Sequence, residues 1–432
     1  MYEHIKGFRD FYPEEMGARR SVVDTLERVA RQYGFREVGT PALERTQLYV
    51  DKSGEEIIEE LYSFADQGGR ELALTPELTP TVARMVVAKQ QALTKPIKWF
   101  STRPFWRYEE PQQGRFREFY QTNVDSFGSS DPAADAEILA FTADALTELG
   151  LTGAEFEFRV SHRDILGGLL ETFDADVDVA GAIRAVDKRE KIERAAYYDL
   201  LVECGLTRSQ ASTFDELLSA NDLSELTAFS DNERLTDAVT NLREVLAATE
   251  DFGAREYCTV SLDTARGLDY YTGTVFECFD STGDVSRSVF GGGRYDDLIE
   301  GYGGQPTPAV GVALGHSTLS LLLERAGVWP EEAITTDYYV LQVGETRSVA
   351  AEIVQSLRTL GHTVETDVSG RSFGAQMGYA DSINAQTVII VGEQDLESDQ
   401  VTIKDMQSGE QTTAPLDSFP PEQGRPTYDD YA

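Results

Sequence analysis

The sequence predicts an α/β chain of more than one domain: an α+β core, a helical insertion within it, and a smaller α/β unit at the C-terminal end. Three observations carry this. The chain has 432 residues, 41% hydrophobic and 10% aromatic, more than one ordinary core accommodates. Strand-like and helical runs alternate through the first part, but the stretch from about Ile165 to Ala248 has helical spacing only and is very acidic. Beyond a Gly327 to Thr336 connection, short strands and helices alternate at the spacing of a small α/β domain.

Tyr12-Pro13-Glu14-Glu15 opens a helix whose apolar positions Val22, Val23, Leu26, Val29, Ala30 and Tyr33 recur at helical spacing, with Gly34 as its stop. Phe35 to Val38 reads as a strand, and Leu72 to Leu74 as another. The second runs into Thr75-Pro76-Glu77-Leu78-Thr79-Pro80, where Pro80 suits the first turn of a helix through Val87. Asp131-Pro132 begins a helix reaching Leu149, and Phe156 to Val160 is strand-like. After the acidic helical stretch, strand character returns at Tyr257 to Val260, Thr274 to Phe279 and Ala309 to Gly315. In the last unit we expect strands at Tyr338 to Val343, Thr363 to Asp367, Val388 to Val391 and Val401 to Ile403. Helices are expected at Ser348 to Leu360 and Ser372 to Ile383, with an irregular Pro-rich end from Pro415.

The formal net charge is −37. Taken alone, that argues against a nucleic-acid partner, whose phosphates call for excess Lys and Arg. The acidity, however, is spread along the chain, and lysine is confined to eight positions. A dispersed acidic surface poor in lysine suits a cytoplasm at very high salt, where self-repulsion is screened within ~3 Å. The charge is therefore read as an adaptation to environment that says little about the partner. Cys204, Cys258 and Cys278 form no disulfide framework or metal spacing, and four scattered histidines argue against a zinc site. With no apolar run long enough to span a membrane and no signal-peptide pattern, a cytoplasmic location is expected.

The most informative stretch is Arg103 to Asp125, two candidate strands joined by the polar loop Pro111-Gln112-Gln113-Gly114. Strand periodicity puts Arg103, Phe105, Arg107 and Glu109 on one face of the first arm. On the second arm Arg115, Arg117, Phe119, Gln121, Asn123 and Asp125 share a face. Such a polar face inside a long chain is costly to cover unless a ligand satisfies it. Arginine forks suit phosphate oxygens, and carboxylates suit an ammonium or an imidazole N–H. The stretch predicts a site for a ligand with phosphates at one end and a cationic or N–H-bearing group at the other.

These residues also carry a family resemblance. Gly34-Phe35-Arg36-Glu37 through Thr40-Pro41 resembles motif 1 of the class II aminoacyl-tRNA synthetases, and Phe105-Trp106-Arg107-Tyr108-Glu109-Glu110 through Arg115-Phe116-Arg117-Glu118-Phe119 resembles their motif 2. Arg266-Gly267-Leu268-Asp269-Tyr270-Tyr271-Thr272-Gly273 and Gly291-Gly292-Gly293-Arg294-Tyr295-Asp296 are similar to the two signatures of histidyl-tRNA synthetases. The resemblance covers nearly the whole chain and implies a class II antiparallel sheet flanked by helices, in a catalytic domain over 1–325 with its insertion at about 165–248. It further implies a linker at 326–336, an α/β anticodon-binding domain at 337–432 and a homodimer.

The implied reaction joins L-histidine and ATP, carried with Mg²⁺, into histidyl-adenylate, then moves the histidyl group to the 3′ end of tRNA(His). By resemblance Arg107 and Arg266 are the catalytic arginines at the α-phosphate, and Glu109, Arg115, Arg117 and Arg294 complete the ATP end. Glu77 takes the α-ammonium with Thr79 and Gln121 assisting, while Asp125 and Tyr271 read the imidazole beside Tyr270. One departure stands out: class II motif 3 ends Gly-Leu-Glu-Arg, its arginine stacking on adenine, but this chain reads Gly315-His316-Ser317-Thr318. That departure keeps open a non-catalytic regulatory paralogue belonging to the ATP phosphoribosyltransferase of histidine biosynthesis, or a tRNA-sensing module.

Overall fold

The computed structural model describes residues 3–50, 59–173, 177–186, 188–189, 192–219, 222–264, 270–283, 288–330 and 336–416. The chain divides into two compact units, one of Met1–Asp10 with Arg19–Pro330, the other of Phe11–Ala18 with Glu331–Ala432.

The strands of the first unit are β1 (Arg36–Glu37), β2 (Leu43–Arg45), β3 (Ser63–Ala65), β4 (Glu71–Leu74), β5 (Ile97–Trp106) and β6 (Glu118–Phe127). They continue with β7 (Phe156–His162), β8 (Cys258–Val260), β9 (Thr274–Asp280), β10 (Phe290–Arg294) and β11 (Ala309–Gly315). Eight of them form one sheet in the order β1-β5-β6-β11-β10-β9-β7-β8. The inner pairs are antiparallel, and only the edge pairs β1–β5 and β7–β8 are parallel. β2, β4 and β3 form a small separate antiparallel sheet.

The expected hairpin is present, but its strands end earlier than the sequence pattern suggests. β5 stops at Trp106 and β6 begins at Glu118, so Arg107 to Arg117 is a long connection and not two strand arms. The alternation rule fails there because the pairing lapses: the backbone bonds that cross it are Arg107 N–H to the Arg117 carbonyl, 3.0 Å, and a Gln112–Arg115 bridge. Within β5 the supposed polar face is mixed. Phe105 is fully buried, and Arg103 donates to the Pro41 carbonyl at 2.8 Å.

The acidic stretch is helical throughout its described residues, with helices Arg163–Phe173, Val179–Val186, Arg194–Glu203, Arg208–Leu218, Leu223–Phe229 and Glu233–Asp251. Its described residues share a core with the sheet: Leu201, Phe214, Leu226 and Leu242 join one apolar cluster with Phe158 and Phe276 of the sheet and Leu26 and Val29 of the helix Pro13–Gln32. A second cluster, with Leu78, Val82, Phe105, Phe127, Tyr271 and Tyr295, lies under the candidate site.

Gly291-Gly292-Gly293 is strand and not a turn, buried in the middle of the sheet. A Cβ on Gly292 would stand 2.7 Å from the Phe276 ring, and one on Gly293 2.7 Å from the Thr274 carbonyl. Only glycine fits that close approach.

In the second unit, β12 (Thr336–Val343), β13 (Val364–Thr366), β14 (Ala385–Gly392), β15 (Gln400–Asp405) and β16 (Gln411–Pro415) form a sheet in the order β13-β12-β14-β15-β16. Helices Arg347–Thr359 and Phe373–Ser382 accompany it. β16 was not expected from the sequence: Pro415 closes a strand paired with Gln400, while the irregular end expected from Pro415 lies, beyond Leu416, outside the described residues. The position of β16 at the sheet edge explains how a proline is tolerated there. No helix among the described residues is long and apolar enough to cross a membrane.

Candidate active site

The site is built on β6 and its two neighbours. Asp125 sits on β6 directly opposite Gly311 of β11. Its carboxyl is buried and accepts the phenol O–H of Tyr295, the residue that follows β10. A Cβ on Gly311 would collide with that carboxyl and come within 2.9 Å of the Val124 carbonyl, so the glycine is what makes room for it. Burial pushes the Asp125 carboxyl up from 3.8 to about 7, while the Tyr295 hydroxyl pulls the other way. Burial and the adjacent Asp125 push the Tyr295 phenol well above its ordinary range, so it stays a donor.

Three tyrosines close this end. Tyr270 and Tyr271 lie with ring centroids 5.0 Å apart, and Tyr295 meets them edge-on at 5.8 Å and 6.4 Å. Tyr271 rests on β10, where a Cβ on Gly293 would be 2.9 Å from its ring. The Tyr270 hydroxyl donates to Glu77 at 3.2 Å. Glu77 is itself buried, in the turn that leads to Thr79 at the start of the helix Thr79–Lys89.

That turn also touches the arginine end. Arg107 donates from Nε to the Pro76 carbonyl at 3.0 Å, and Trp106 N–H donates to the Thr75 carbonyl at 3.1 Å. Glu77 and Arg107 are therefore held near one another by bonds to two adjacent backbone residues, Thr75 and Pro76. Glu109 lies 3.9 Å from Arg107 and 3.4 Å from Arg115. Arg117 donates to the Glu109 carbonyl at 3.0 Å and stacks over Tyr108 at 4.0 Å. Gln121 pairs across the sheet with Arg103 on one side and Gly315 on the other, half-buried.

The structure thus draws Glu77, Tyr270, Tyr271 and Asp125 into one buried group and Arg107, Glu109, Arg115 and Arg117 into an open one. Arg294 belongs to neither in the manner expected. Its guanidinium is buried and bonded to Asp135 at 3.1 Å and 3.2 Å, to Asp296 at 3.0 Å and to the Ser129 carbonyl at 2.9 Å. With those acceptors satisfied inside the protein, it secures the end of β10 to the helix Pro132–Glu148 instead of reaching for a phosphate. Arg266 lies outside the described residues. Thr318, at the position of the missing motif 3 arginine, donates to the Val289 carbonyl and to the Gly315 carbonyl at 3.1 Å, a local role in the first turn of the helix His316–Ala326.

Sequence reading missed Tyr295 as the donor to Asp125. It stood within the quoted Gly291 to Asp296 signature, but only the register of β6, β11 and β10 brings it there. His316 was also unassigned. Its ring shares a 2.9 Å hydrogen bond with Thr122, and burial, with Arg19 nearby, pulls it down to about 3, so it stays neutral.

A family model described as histidyl-tRNA synthetase matches residues 7–319, and one described as an anticodon binding domain matches 337–422. The chain is 72% identical over 432 residues to the histidine–tRNA ligase of Natronomonas pharaonis and 70% identical over 434 residues to that of Haloarcula marismortui, covering all of each chain. Among solved structures, the histidyl-tRNA synthetase from Nostoc sp. PCC 7120 superposes with a TM-score of 0.81 at 25% identity, covering 96% of this chain and 97% of that one.

Proposed function

Because this chain belongs to the histidyl-tRNA synthetase family, we propose that its buried group reads the substrate imidazole and its open arginine group holds ATP. The chain is an aminoacyl-tRNA ligase that activates L-histidine with ATP and transfers the histidyl group to tRNA(His). The regulatory-paralogue alternative is less well supported, since ligases match at 70–72% identity along their entire length.

The observation that carries the assignment is the pairing of a buried carboxyl with a tyrosine donor, next to a second buried carboxylate, Glu77. Neutral imidazole presents one N–H and one acceptor nitrogen. In this reading Asp125 takes the N–H, Tyr271 faces the other nitrogen, and Glu77 takes the α-ammonium with Thr79 and Gln121 beside it. Adenylation is an in-line displacement in which the histidine carboxylate attacks the α-phosphorus and pyrophosphate leaves. The protein's work is positioning and charge stabilisation. Arg107, fixed to the turn that carries Glu77, is suited to span the carboxylate and the α-phosphate. Arg115 and Arg117 serve the outer phosphates, and Glu109 orients the arginines and is available to the Mg²⁺ that accompanies ATP. Arg266 is assigned to the α-phosphate from its signature alone, and Arg294 serves as a positioning residue for β10.

The same reading places anticodon binding in 337–432 and joins it to a catalytic domain over 1–325 by a linker at 326–336, with a cytoplasmic homodimer as the working form. Halophilic relatives support reading the −37 charge as salt adaptation. The test is histidine-dependent ATP–pyrophosphate exchange in molar KCl, followed by charging of tRNA(His). Exchange with histidine and with no other amino acid is expected; its absence would overturn the reading.

A further inference from the structure

Most polar side chains around the site are answered by the fold itself. Arg294 is held by Asp135, Asp296 and the Ser129 carbonyl. Arg9 lies over the Phe116 ring, 3.5 Å from its centroid, and donates to the Ser317 hydroxyl at 3.1 Å. Asn123 differs. It is 3% exposed, and its Oδ1 is buried with no hydrogen-bond partner among the described residues. A buried carbonyl oxygen without a donor destabilises the free protein, and asparagine is itself disfavoured inside a strand. Both disadvantages meet in the middle of β6, an inner strand of the sheet.

The surroundings show what such an oxygen can serve. Strand alternation puts Asn123 on the face of β6 that carries Gln121 and Asp125, about 7 Å along the strand from each. Across from these three, β11 places Gly315, Ala313 and Gly311. Beyond β11, β10 sets Gly291 against Ala313 and Gly293 against Gly311. A polar edge of three β6 side chains therefore runs beside a floor of glycine and alanine, which has no polar side chain to offer Oδ1. On β5 the neighbour of Asn123 is Ser101, also buried and not bonded to that oxygen.

Resting on the assignment of Asp125 and Glu77 to the histidine end, we propose that Asn123 is a further histidine-binding residue: its Oδ1 accepts an N–H of the substrate's α-ammonium. The choice of group follows from the donors. Neutral imidazole has one N–H, which Asp125 takes on that assignment, and its second nitrogen is an acceptor that gives nothing to an oxygen. The ammonium carries three N–H, and one oxygen of Glu77 already accepts from the Tyr270 hydroxyl. A ligand with its ring at Asp125 and its ammonium toward Gln121 passes Asn123 midway. A carboxamide there adds an acceptor without burying a further charge beside Asp125 and Glu77.

The test is calorimetric titration of the full chain in molar KCl with three ligands: L-histidine, histidinol, which keeps the ring and the ammonium, and imidazolepropionate, which keeps the ring and the carboxylate but has no ammonium. The proteins are the unmodified chain, Asn123→Ala, Asn123→Asp and Asp125→Ala. Asn123→Ala is expected to weaken histidine and histidinol about 10-fold and imidazolepropionate by less than about twofold. Asn123→Asp restores an oxygen acceptor and is expected to bring histidinol back to within about threefold of the unmodified protein. At one fixed histidine concentration, the ligand-induced rise in melting midpoint should shrink in Asn123→Ala; a purely structural role would lower the midpoint of the free protein and leave that rise intact. Unchanged histidinol binding in Asn123→Ala, equal weakening of histidine and imidazolepropionate, no recovery in Asn123→Asp, or an intact rise would each overturn the proposal. Failure of the underlying reading looks different: Asp125→Ala would bind all three ligands as tightly as the unmodified protein does.

Discussion

On the proposed assignment, the two ends of the site solve opposite problems. At the histidine end the ligand is small, and the polar groups that meet it are sealed in: Asp125, Glu77 and Tyr295 are buried, among three rings and three glycine seats on β10 and β11. At the nucleotide end the ligand carries charge, and the protein answers with Arg107, Arg115, Arg117 and Glu109 on a connection that is half open to solvent. The first end gains selectivity because an unmatched polar group there has no water to turn to. The second gains attraction, and in concentrated salt that attraction survives only at contact range. The bidentate geometry of arginine suits contact range better than the point charge of lysine.

The largest effect is expected from removing the nucleotide end's foremost arginine. Arg107→Ala should lower the exchange rate by roughly 10²–10³, as loss of a preorganised charge stabiliser does, with histidine binding nearly unchanged in equilibrium dialysis. A matching loss of histidine affinity would show that the two ends are not separable.

Next comes the seat of the histidine end. Gly311→Ala puts a methyl into the Asp125 carboxyl. Displacing a buried hydrogen-bonded group costs ~1–3 kcal/mol, roughly 5–150-fold in histidine affinity. Binding of tripolyphosphate, measured alongside, should stay within about twofold; a larger change would mean the mutation has disturbed more than one end.

Asp125 also gives the histidine end a pH signature in stability. The folded carboxyl holds its proton up to about 7 against an ordinary 3.8. Between those values the folded state binds the extra proton, so this group's contribution to stability falls as pH rises from about 4 to about 7 and is level above. Asp125→Asn lacks that slope, and its stability relative to the parent should improve by on the order of 2 kcal/mol from pH 5 to pH 8 in denaturant titrations. Parallel curves for the two proteins would refute the shift. Histidine binding should nonetheless be poorer in the variant at both pH values.

The smallest effect is expected at the exposed edge. Lys6 and Glu110 pair with most of each side chain in solvent, where such pairs contribute little and salt removes most of that. Lys6→Ala should leave ATP binding in molar KCl within about twofold. A larger loss there would show that the pair shapes the nucleotide end.

Local pattern in the sequence was enough to place the helices Pro13–Gln32, Thr79–Lys89 and Pro132–Glu148, and the strands β5 and β6 at their sheet-forming ends. Capping residues and spacing decide these within a turn or two. The resemblance then marked Glu77, Asp125, Tyr270 and Tyr271, which the fold brings together. What stayed illegible depends on partners far away along the chain. Arg294 looked like one more phosphate ligand until Asp135, 159 positions earlier, absorbed its charge. Tyr295 meets Asp125 across 170 positions, a meeting set by the stacking order of β6, β11 and β10. Arg9 sits in a segment with no periodicity to read, and the arms of the hairpin were drawn too long because alternation says nothing about where pairing stops.

The bond between Arg9 and Ser317 spans 308 positions, and this has a consequence for how the protein comes off the ribosome. Arg9 waits through the synthesis of most of the larger unit before its hydroxyl partner exists. Contacts this distant close late, after the loop entropy between them has been met by other pairings. A nascent chain that has completed β5 and β6 already carries Arg107, Arg115 and Arg117, yet the Ser317 hydroxyl that Arg9 bonds is absent until the helix His316–Ala326 is made. The Arg9 segment and the helix His316–Ala326 therefore certify each other: the bond between them forms only in a chain whose translation has run past residue 317.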